Sequence, residues 1–199
     1  MMWRPLLIEY TADPLRLAGR TIVPLVAVAV AGLLGYAGLL LIALLIFVVV
    51  TGTAINLVKL RLSGMFRRVV VSERPKSEIF SAYTANFVLI YSAQFLPAIL
   101  AGAYFGGLVI IPYAELSLIL AAISGTFVGL VSKSLGSVHL YAVLVTVPLI
   151  LLGLNSSPVK ALVPMGYAIG GVELTWAGLI PLLVVGISYL VLMSYASRL

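Results

Sequence analysis

The sequence predicts an all-α polytopic membrane protein with six transmembrane helices. Two observations lead to this fold class. Hydrophobic residues make up 63% of the 199 residues and charged residues only 9%, whereas a soluble domain carries about 25% charged residues. The mean hydropathy is +1.23, and uncharged apolar stretches long enough to cross a bilayer recur along the chain. We therefore expect one transmembrane domain that occupies residues 1–199, surrounded by the lipid bilayer.

Residues 1–20 predict a cytosolic or interfacial segment and not a cleaved signal peptide. Glu9 interrupts the first apolar run before any small-residue cleavage site. Residues 3–10 fit either a short interfacial helix or an amphiphilic tail. Asp13 and Pro14 then form a helix-start signal, because Asp caps helix N-termini and Pro is favoured at the first helical position.

Six apolar spans account for most of the remaining chain. Thr21–Val58 has no charged residue and is long enough for two crossings, with the turn expected at Gly35–Gly38. The later spans are Tyr83–Tyr104, Leu108–Val131, Val138–Leu154 and Leu174–Ala196. Short separators at 102–107 and 132–137 and a longer one at 155–173 lie between them.

The positions of the basic residues predict the orientation. If both termini are cytosolic, eleven of the twelve Lys and Arg residues fall on the cytosolic side and only Lys160 falls outside, as the positive-inside rule requires. We therefore expect a multi-pass protein of the cell (plasma) membrane with both termini in the cytosol. The net charge of +6 does not indicate nucleic-acid binding, because the basic residues cluster between apolar spans.

The main cytosolic loop is residues 59–82. Seven of the protein's 18 charged side chains lie within residues 61–80. From Gly64 to Val71 one helical face is apolar, including Phe66, and the opposite face carries two arginines. This pattern predicts a short amphipathic helix, although a solvated basic loop that only sets the topology is the simpler alternative.

The end of this loop predicts the start of the third helix. Pro75 ends the amphipathic helix, because the residue before a proline disfavours helical geometry. Ser77 is then expected to cap the next helix, with Glu78 as a favourable acidic residue in its first turn.

Three stretches resemble the ABC-2 type transporter permease family. "SGMFRRVVVSERPKSEI" (63–79) resembles the loop after the second helix of that family, with Glu73 at the usual proline position and Pro75 two positions late. The matching residues of this loop are Gly64, Arg68, Ser72, Glu78 and Ile79.

Two other stretches also resemble the family, and they occur along the chain in the same order as in the family. In "VPMGYA" (163–168), Pro164, Tyr167 and Ala168 match, while Val163 replaces the usual Asn. Residues 125–153 resemble the fourth and fifth helices and their short loop. The resemblance covers the chain from about residue 38 to the C-terminus.

The resemblance implies a membrane-spanning permease subunit of an ATP-driven ABC exporter. It implies a second permease half, from the same or a different chain, and a separate ABC ATPase subunit that binds ATP and Mg. This chain is expected to bind no cofactor itself. The loop helix would be a coupling helix that docks on the ATPase. The residues assigned to coupling are Gly64, Met65, Phe66, Arg67, Arg68, Val69, Ser72, Arg74, Lys76 and Glu78.

The residues themselves argue against an enzyme. A Walker A lysine follows a glycine, and none of the four lysines does so. The chain has no cysteine and a single histidine, His139, so a metal site or a catalytic thiol is not expected. We therefore predict no catalytic residue and no metal.

Four polar residues in the predicted spans are candidates for a translocation path. Glu115 is the strongest, because a carboxylate inside a membrane is costly and is commonly functional. The alternative is that Glu115 has no special function and lies one turn from the outer interface, to which its carboxylate extends. Asn56, Asn86 and Gln94 could line a path, but such amides more often form hydrogen bonds between helices.

The external segment 155–173 is too apolar for a free loop, although Pro158 and Pro164 interrupt it. We expect short helices that return into the outer leaflet, with Pro164 and Tyr167 as the family-like residues.

Two other functions remain possible from the sequence. A substrate-binding membrane subunit of an energy-coupling-factor importer would also borrow an ATPase, but it would need a polar cavity near the outer face. A non-transporting membrane scaffold could use the same loop to bind a protein.

Overall fold

The structure is a computed structural model that describes residues 14–64, 75–154, 162–164, 166–167 and 179–198. Six helices lie in these ranges: α1 (Pro14–Leu33), α2 (Ala37–Leu62), α3 (Lys76–Gly106), α4 (Ile110–Val131), α5 (Leu135–Leu154) and α6 (Ile180–Arg198). No strand occurs among the described residues. Helices α2 to α6 are long and apolar enough to cross a membrane, and the described apolar part of α1 is shorter. The all-α class is confirmed for the described residues, and the helices are consistent with a multi-pass membrane protein. Five of the six predicted transmembrane helices have the length and apolarity of a membrane span, and α1 falls short of them.

Several helix boundaries differ from the predicted ones because glycine does not always end a helix here. The chain turns at Gly35 (φ +80°), as expected. However, α3 continues through residues 102–106 and ends only at Gly107 (φ +95°), and α5 already begins at Leu135. A glycine within a helix costs about 1 kcal/mol, whereas a backbone group without a hydrogen bond in lipid costs several kcal/mol. The helical conformation is therefore retained across most glycines.

The third and sixth helices also differ from their predicted spans. Helix α3 begins at Lys76, well before the predicted start at Tyr83. Helix α6 is described from Ile180 onward, and its predicted start at Leu174 lies outside the described residues.

Helices α2 and α4 form the centre of the bundle and share its most extensive contact. Gly125 and Gly129 of α4 lie directly against the backbone of α2. A Cβ atom at Gly125 would lie 2.7 Å from the carbonyl oxygen of Val50, and one at Gly129 would lie 3.1 Å from that of Ala54. This small-residue spacing lets two membrane helices approach each other closely. Helix α1 packs on α3 and α2, α5 mainly on α2, and α6 on α4 and α3.

Contacts between helix ends show that successive helices run in opposite directions. Phe105, at the end of α3, packs against Gly32 at the end of α1. Arg61, at the end of α2, reaches the last residues of α4. Tyr189 in α6 donates a hydrogen bond to Ser81 near the start of α3. Helices α2, α4 and α6 therefore end on the side where α1, α3 and α5 begin.

Charge is separated along the axis of this bundle. We call the side where α2, α4 and α6 end the basic end, because the described Lys and Arg side chains lie in that half. They are Arg20, Lys59, Arg61, Lys76, Lys133 and Arg198. We call the opposite side the apolar end, because its two described turns, residues 33–37 and 104–110, contain no charged residue.

Candidate functional site

The predicted coupling segment lies between α2 and α3 at the basic end. The structure describes three of its candidate residues, Gly64, Lys76 and Glu78. The others lie outside the described residues: Met65, Phe66, Arg67, Arg68, Val69, Ser72 and Arg74. The described residues therefore define how the two helices on either side of this segment are held.

Gly64 terminates α2, which corrects the prediction that a helix begins at this residue. Its φ of +71° is in the left-handed region, which glycine adopts without steric cost. The amide of Ser63 donates to the carbonyl of Lys59 at 2.9 Å, and that of Gly64 donates to Arg61 at 3.3 Å. Gly64 is thus a turn residue, and any helix in the coupling segment starts after it.

Arg61 joins the end of α2 to the end of α4. Its Nη1 lies 3.1 Å from the carbonyl oxygen of Gly129, 2.9 Å from that of Leu130 and 3.0 Å from that of Ser132, so its N–H groups are shared among three acceptors. The last carbonyls of a helix have no partner within the helix and carry partial negative charge. A guanidinium supplies both the N–H donors that these carbonyls lack and a positive charge beside their partial negative charge. Arg61 therefore caps α4 from the neighbouring helix.

The start of α3 is built differently from the prediction. Pro75 precedes the helix, and its carbonyl accepts hydrogen bonds from the amides of Glu78 at 3.0 Å and Ile79 at 3.3 Å. Ser77 is therefore inside the first turn and does not cap it. Glu78 is in the first turn, as expected. Its negative charge there interacts favourably with the positive end of the helix dipole.

Helix α3 is longer than a single crossing requires. Its 31 residues span about 46 Å at 1.5 Å per residue, whereas the hydrocarbon core is about 30 Å thick. Lys76, Ser77 and Glu78 are polar, while the other end of the helix carries exposed Tyr104 and Phe105. The excess length therefore belongs on the basic side, where it extends toward the coupling segment.

Side-chain hydrogen bonds join the first turns of α3 to three other helices. Each connects a hydroxyl group of α3 to a residue far away in sequence, as is common in membrane bundles. The pairs are Tyr189 Oη to Ser81 Oγ (2.7 Å), Tyr83 Oη to the Thr53 carbonyl (2.8 Å) and Thr84 Oγ1 with Thr126 Oγ1 (3.0 Å). The start of α3 is therefore held by α6, α2 and α4 together.

The residues predicted to line a translocation path are distributed over three helices: Asn56 lies on α2, Asn86 and Gln94 on α3, and Glu115 on α4. The Asn56 side-chain amide donates to the Gly52 carbonyl of its own helix at 2.7 Å. Asn86 is half-buried and Gln94 is buried, both on α3. These two residues are separated by about 12 Å along the helix axis, too far to hold one small ligand together.

Glu115, the fourth candidate, forms a hydrogen bond between helices. Its Oε2 accepts from Ser92 Oγ of α3 at 2.7 Å. Glu115 lies in the second turn of α4, about 7.5 Å from the apolar end at Ile110. Gln94 is two positions from Ser92, so it projects from a different face of α3. The bond from Ser92 offsets part of the cost of the half-buried carboxylate.

The described part of the external segment is packed against α4. The Tyr167 ring stacks on that of Tyr113, with 4.7 Å between centroids and 14° between planes. Tyr167, Val163 and Pro164 are buried, and the Gly166 amide closes a turn onto the Val163 carbonyl at 3.1 Å. At these positions the chain lies inside the bundle near its apolar end.

Most of the polar side chains described so far join one helix to another. Within the described ranges, no three His, Asp or Glu side chains are close enough to hold a metal ion. His139 lies exposed in the first turns of α5. The bonds of Arg61, Ser81, Tyr83, Thr84 and Ser92 each join two helices, so the arrangement can transmit displacement between them.

Comparison with protein-family models, with curated proteins and with solved structures gives no match. The resemblance to ABC-2 permeases therefore depends only on the sequence of residues 63–79, 125–153 and 163–168.

Sequence reasoning missed the residues that join the helices. Arg61 counted only as one more charge at the basic end, and Ser81, Ser92 and Tyr189 were not singled out. A hydroxyl in a membrane helix can bond to another helix or to its own backbone, and the three-dimensional arrangement sets which partner it has.

Proposed function

We propose that the chain is the membrane-spanning permease subunit of an ATP-driven ABC exporter. It acts with a separate ABC ATPase subunit, which binds ATP and Mg, and with a second permease half from the same or a different chain. The three resembling stretches suggest the family. One structural observation carries the mechanism: both helices that hold residues 65–74 are hydrogen-bonded to other helices at the basic end.

A displacement on the α2 side of this segment is transmitted to α4. Arg61 binds the last carbonyls of α4, and Gly125 and Gly129 leave no room between the two helices. Tightly packed elements move as one body, since close-packed interiors deform little. Helices α2 and α4 therefore respond together.

A displacement on the α3 side reaches α6 as well. The pair of Tyr189 and Ser81 joins α6 to the first turns of α3, and the polar start of α3 forms a rigid extension beyond the bilayer. A movement of the ATPase against the coupling segment thus acts on four of the six helices.

In this proposal the basic end faces the cytosol of the cell, in accordance with the positive-inside rule. The ATPase binds there, and the apolar end faces outward, with Glu115 close to the exit side of the candidate path.

Two alternatives make different predictions. An energy-coupling-factor importer subunit needs a polar cavity near the outer face, but residues 33–37 and 104–110 are apolar, and the Glu115 carboxylate is already bonded to Ser92. A membrane scaffold could bind a protein through the loop, but it would not stimulate ATP hydrolysis.

The test is co-expression of the chain with each ABC ATPase encoded in the same genome. We expect one ATPase to co-purify and its ATP hydrolysis in lipid vesicles to be stimulated. Phe66→Ala should abolish both effects, because an aromatic anchor at an interface contributes about 2 kcal/mol or more. Insertion into the membrane should be unchanged.

The matched control is Phe47→Ala, the same substitution at a half-exposed residue in the middle of α2. It should leave co-purification and stimulation intact. The coupling role is wrong if Phe66→Ala and a Gly-Gly insertion after Val69 both leave stimulated hydrolysis unchanged. If no ATPase co-purifies with the chain, the exporter function itself is rejected in favour of a scaffold.

A further inference from the structure

A cleft of about 250 Å³ opens between α5 and α6. Its floor is Ile123 and Phe127 of α4, and its walls include Val145 of α5 and Ile187 and Val191 of α6. Two serines also line it, and the hydroxyl of one of them, Ser188, is satisfied by the Val184 carbonyl at 2.8 Å. The cleft therefore presents an almost entirely apolar surface.

The cleft arises because α5 and α6 pack on different partners. Helix α5 has its main contact with α2, and α6 packs on α4 and α3. The two helices consequently diverge around α4. The space is smaller than the roughly 300–1,000 Å³ of typical small-molecule pockets, which suits a thin apolar chain better than a bulky ligand.

The floor of the cleft lies in the half of the bundle nearer the basic end, and its walls at Val145 and Ile187 extend to the middle of α5 and α6. Phe127 and Ile123 precede the end of α4 at Val131 by about 6 Å and 12 Å along the axis. Half of a hydrocarbon core of about 30 Å is about 15 Å. The cleft is therefore within reach of an acyl chain whose headgroup lies at the basic end.

Positive charge lies on the same elements at that end. Lys133 lies two residues after the end of α4, Arg198 ends α6, and both are exposed. Tyr195, whose ring centroid is 5.4 Å from that of Phe127, lies between the cleft and Arg198, at the level where aromatic residues favour the membrane interface. A ligand that fits has an apolar tail and an anionic head.

We propose that this cleft binds one acyl chain of an anionic phospholipid, with the phosphate held by Lys133 and Arg198. The bilayer itself supplies the ligand, so the site is filled whether or not the chain works with an ATPase. The proposal is independent of the exporter function.

The test uses phosphatidylglycerol with a photoactivatable acyl chain in nanodiscs that contain the purified full chain, with the equivalent phosphatidylcholine as a comparison. Cross-links are mapped by mass spectrometry. We expect phosphatidylglycerol to label residues 187–192 preferentially over Leu140, which is exposed on the basic half of α5 but outside the cleft. Phosphatidylcholine should show no such preference.

Two variants test the headgroup. Lys133→Gln and Arg198→Gln should each lower labelling of the cleft by roughly five-fold, and the double variant by about 25-fold, given the usual contribution of a basic residue near an anionic surface. Lys76→Gln removes the same charge at the basic end away from the cleft and should change nothing.

Three results would overturn the proposal. Equal labelling of the cleft and Leu140 would mean ordinary bulk lipid, and equal labelling by both lipids would remove the anionic headgroup. Cross-links between two copies of the chain through Ser188→Cys would show that a second protein copy occupies the cleft.

Discussion

At the scale of single residues, Arg61 illustrates how one side chain can serve two helices. The planar guanidinium presents several N–H donors in a fixed geometry, whereas a lysine ammonium is a point charge on a flexible stem. In the structure one guanidinium nitrogen, Nη1, lies within hydrogen-bond distance of the carbonyls of Gly129, Leu130 and Ser132. The end of α4 would otherwise carry uncapped carbonyls at the membrane boundary.

Replacement of Arg61 by Ala should destabilise the bundle by about 2 kcal/mol, the usual contribution of hydrogen bonds to a charged group. Thermal unfolding of the purified protein in detergent, followed by helical circular dichroism, measures this as a lower midpoint. Arg61→Lys should give an intermediate midpoint because it keeps the charge on a shorter and more flexible side chain. Lys59→Ala removes the same charge from an exposed residue in the last turn of the same helix. This substitution should have little effect. Equal losses for Arg61→Ala and Lys59→Ala would contradict the cap.

At the scale of helices, the pairing of α2 with α4 depends on glycine. Gly125 and Gly129 bring the backbone of α4 against the carbonyls of Val50 and Ala54. In lipid there is no hydrophobic force between helices, so close packing and hydrogen bonds supply the attraction. A side chain at either glycine would hold the two helices apart and weaken both contributions.

Gly125→Ala should therefore lower the thermal midpoint, although alanine is the better helix former by about 1 kcal/mol. The matched control is Gly186→Ala in α6, where an added Cβ would meet nothing within 4 Å. That substitution should leave the midpoint unchanged or raise it. A similar response of both variants would show that helix propensity, and not the contact with α2, decides the outcome.

At the scale of the whole molecule, the alternation of six helices separates a basic end from an apolar end. Since positively charged loops are retained on the cytosolic side, this separation predicts the orientation of the entire bundle. The same alternation brings the two helices that adjoin the coupling segment to the end where an ATPase would bind.

Single cysteines can test this orientation because the chain has none of its own. In intact cells, a membrane-impermeant maleimide should label Leu108→Cys, at an exposed residue of the apolar end. It should label Lys133→Cys only after the membrane is permeabilised. A reporter fused at Lys160 should likewise read external. Labelling of both cysteines from the same side would end the six-crossing topology.

The sequence by itself determined the class of the protein, the number of helices in the described chain and the location of its charge. These follow from composition and local order, because an apolar stretch in lipid must form a helix to satisfy its own backbone. The tertiary structure alone decided which glycines end helices, that Tyr167 stacks on Tyr113, and that Arg61 caps a helix whose carbonyl lies 68 residues away. Such pairings depend on which distant surfaces meet, and no local pattern of residues encodes that choice.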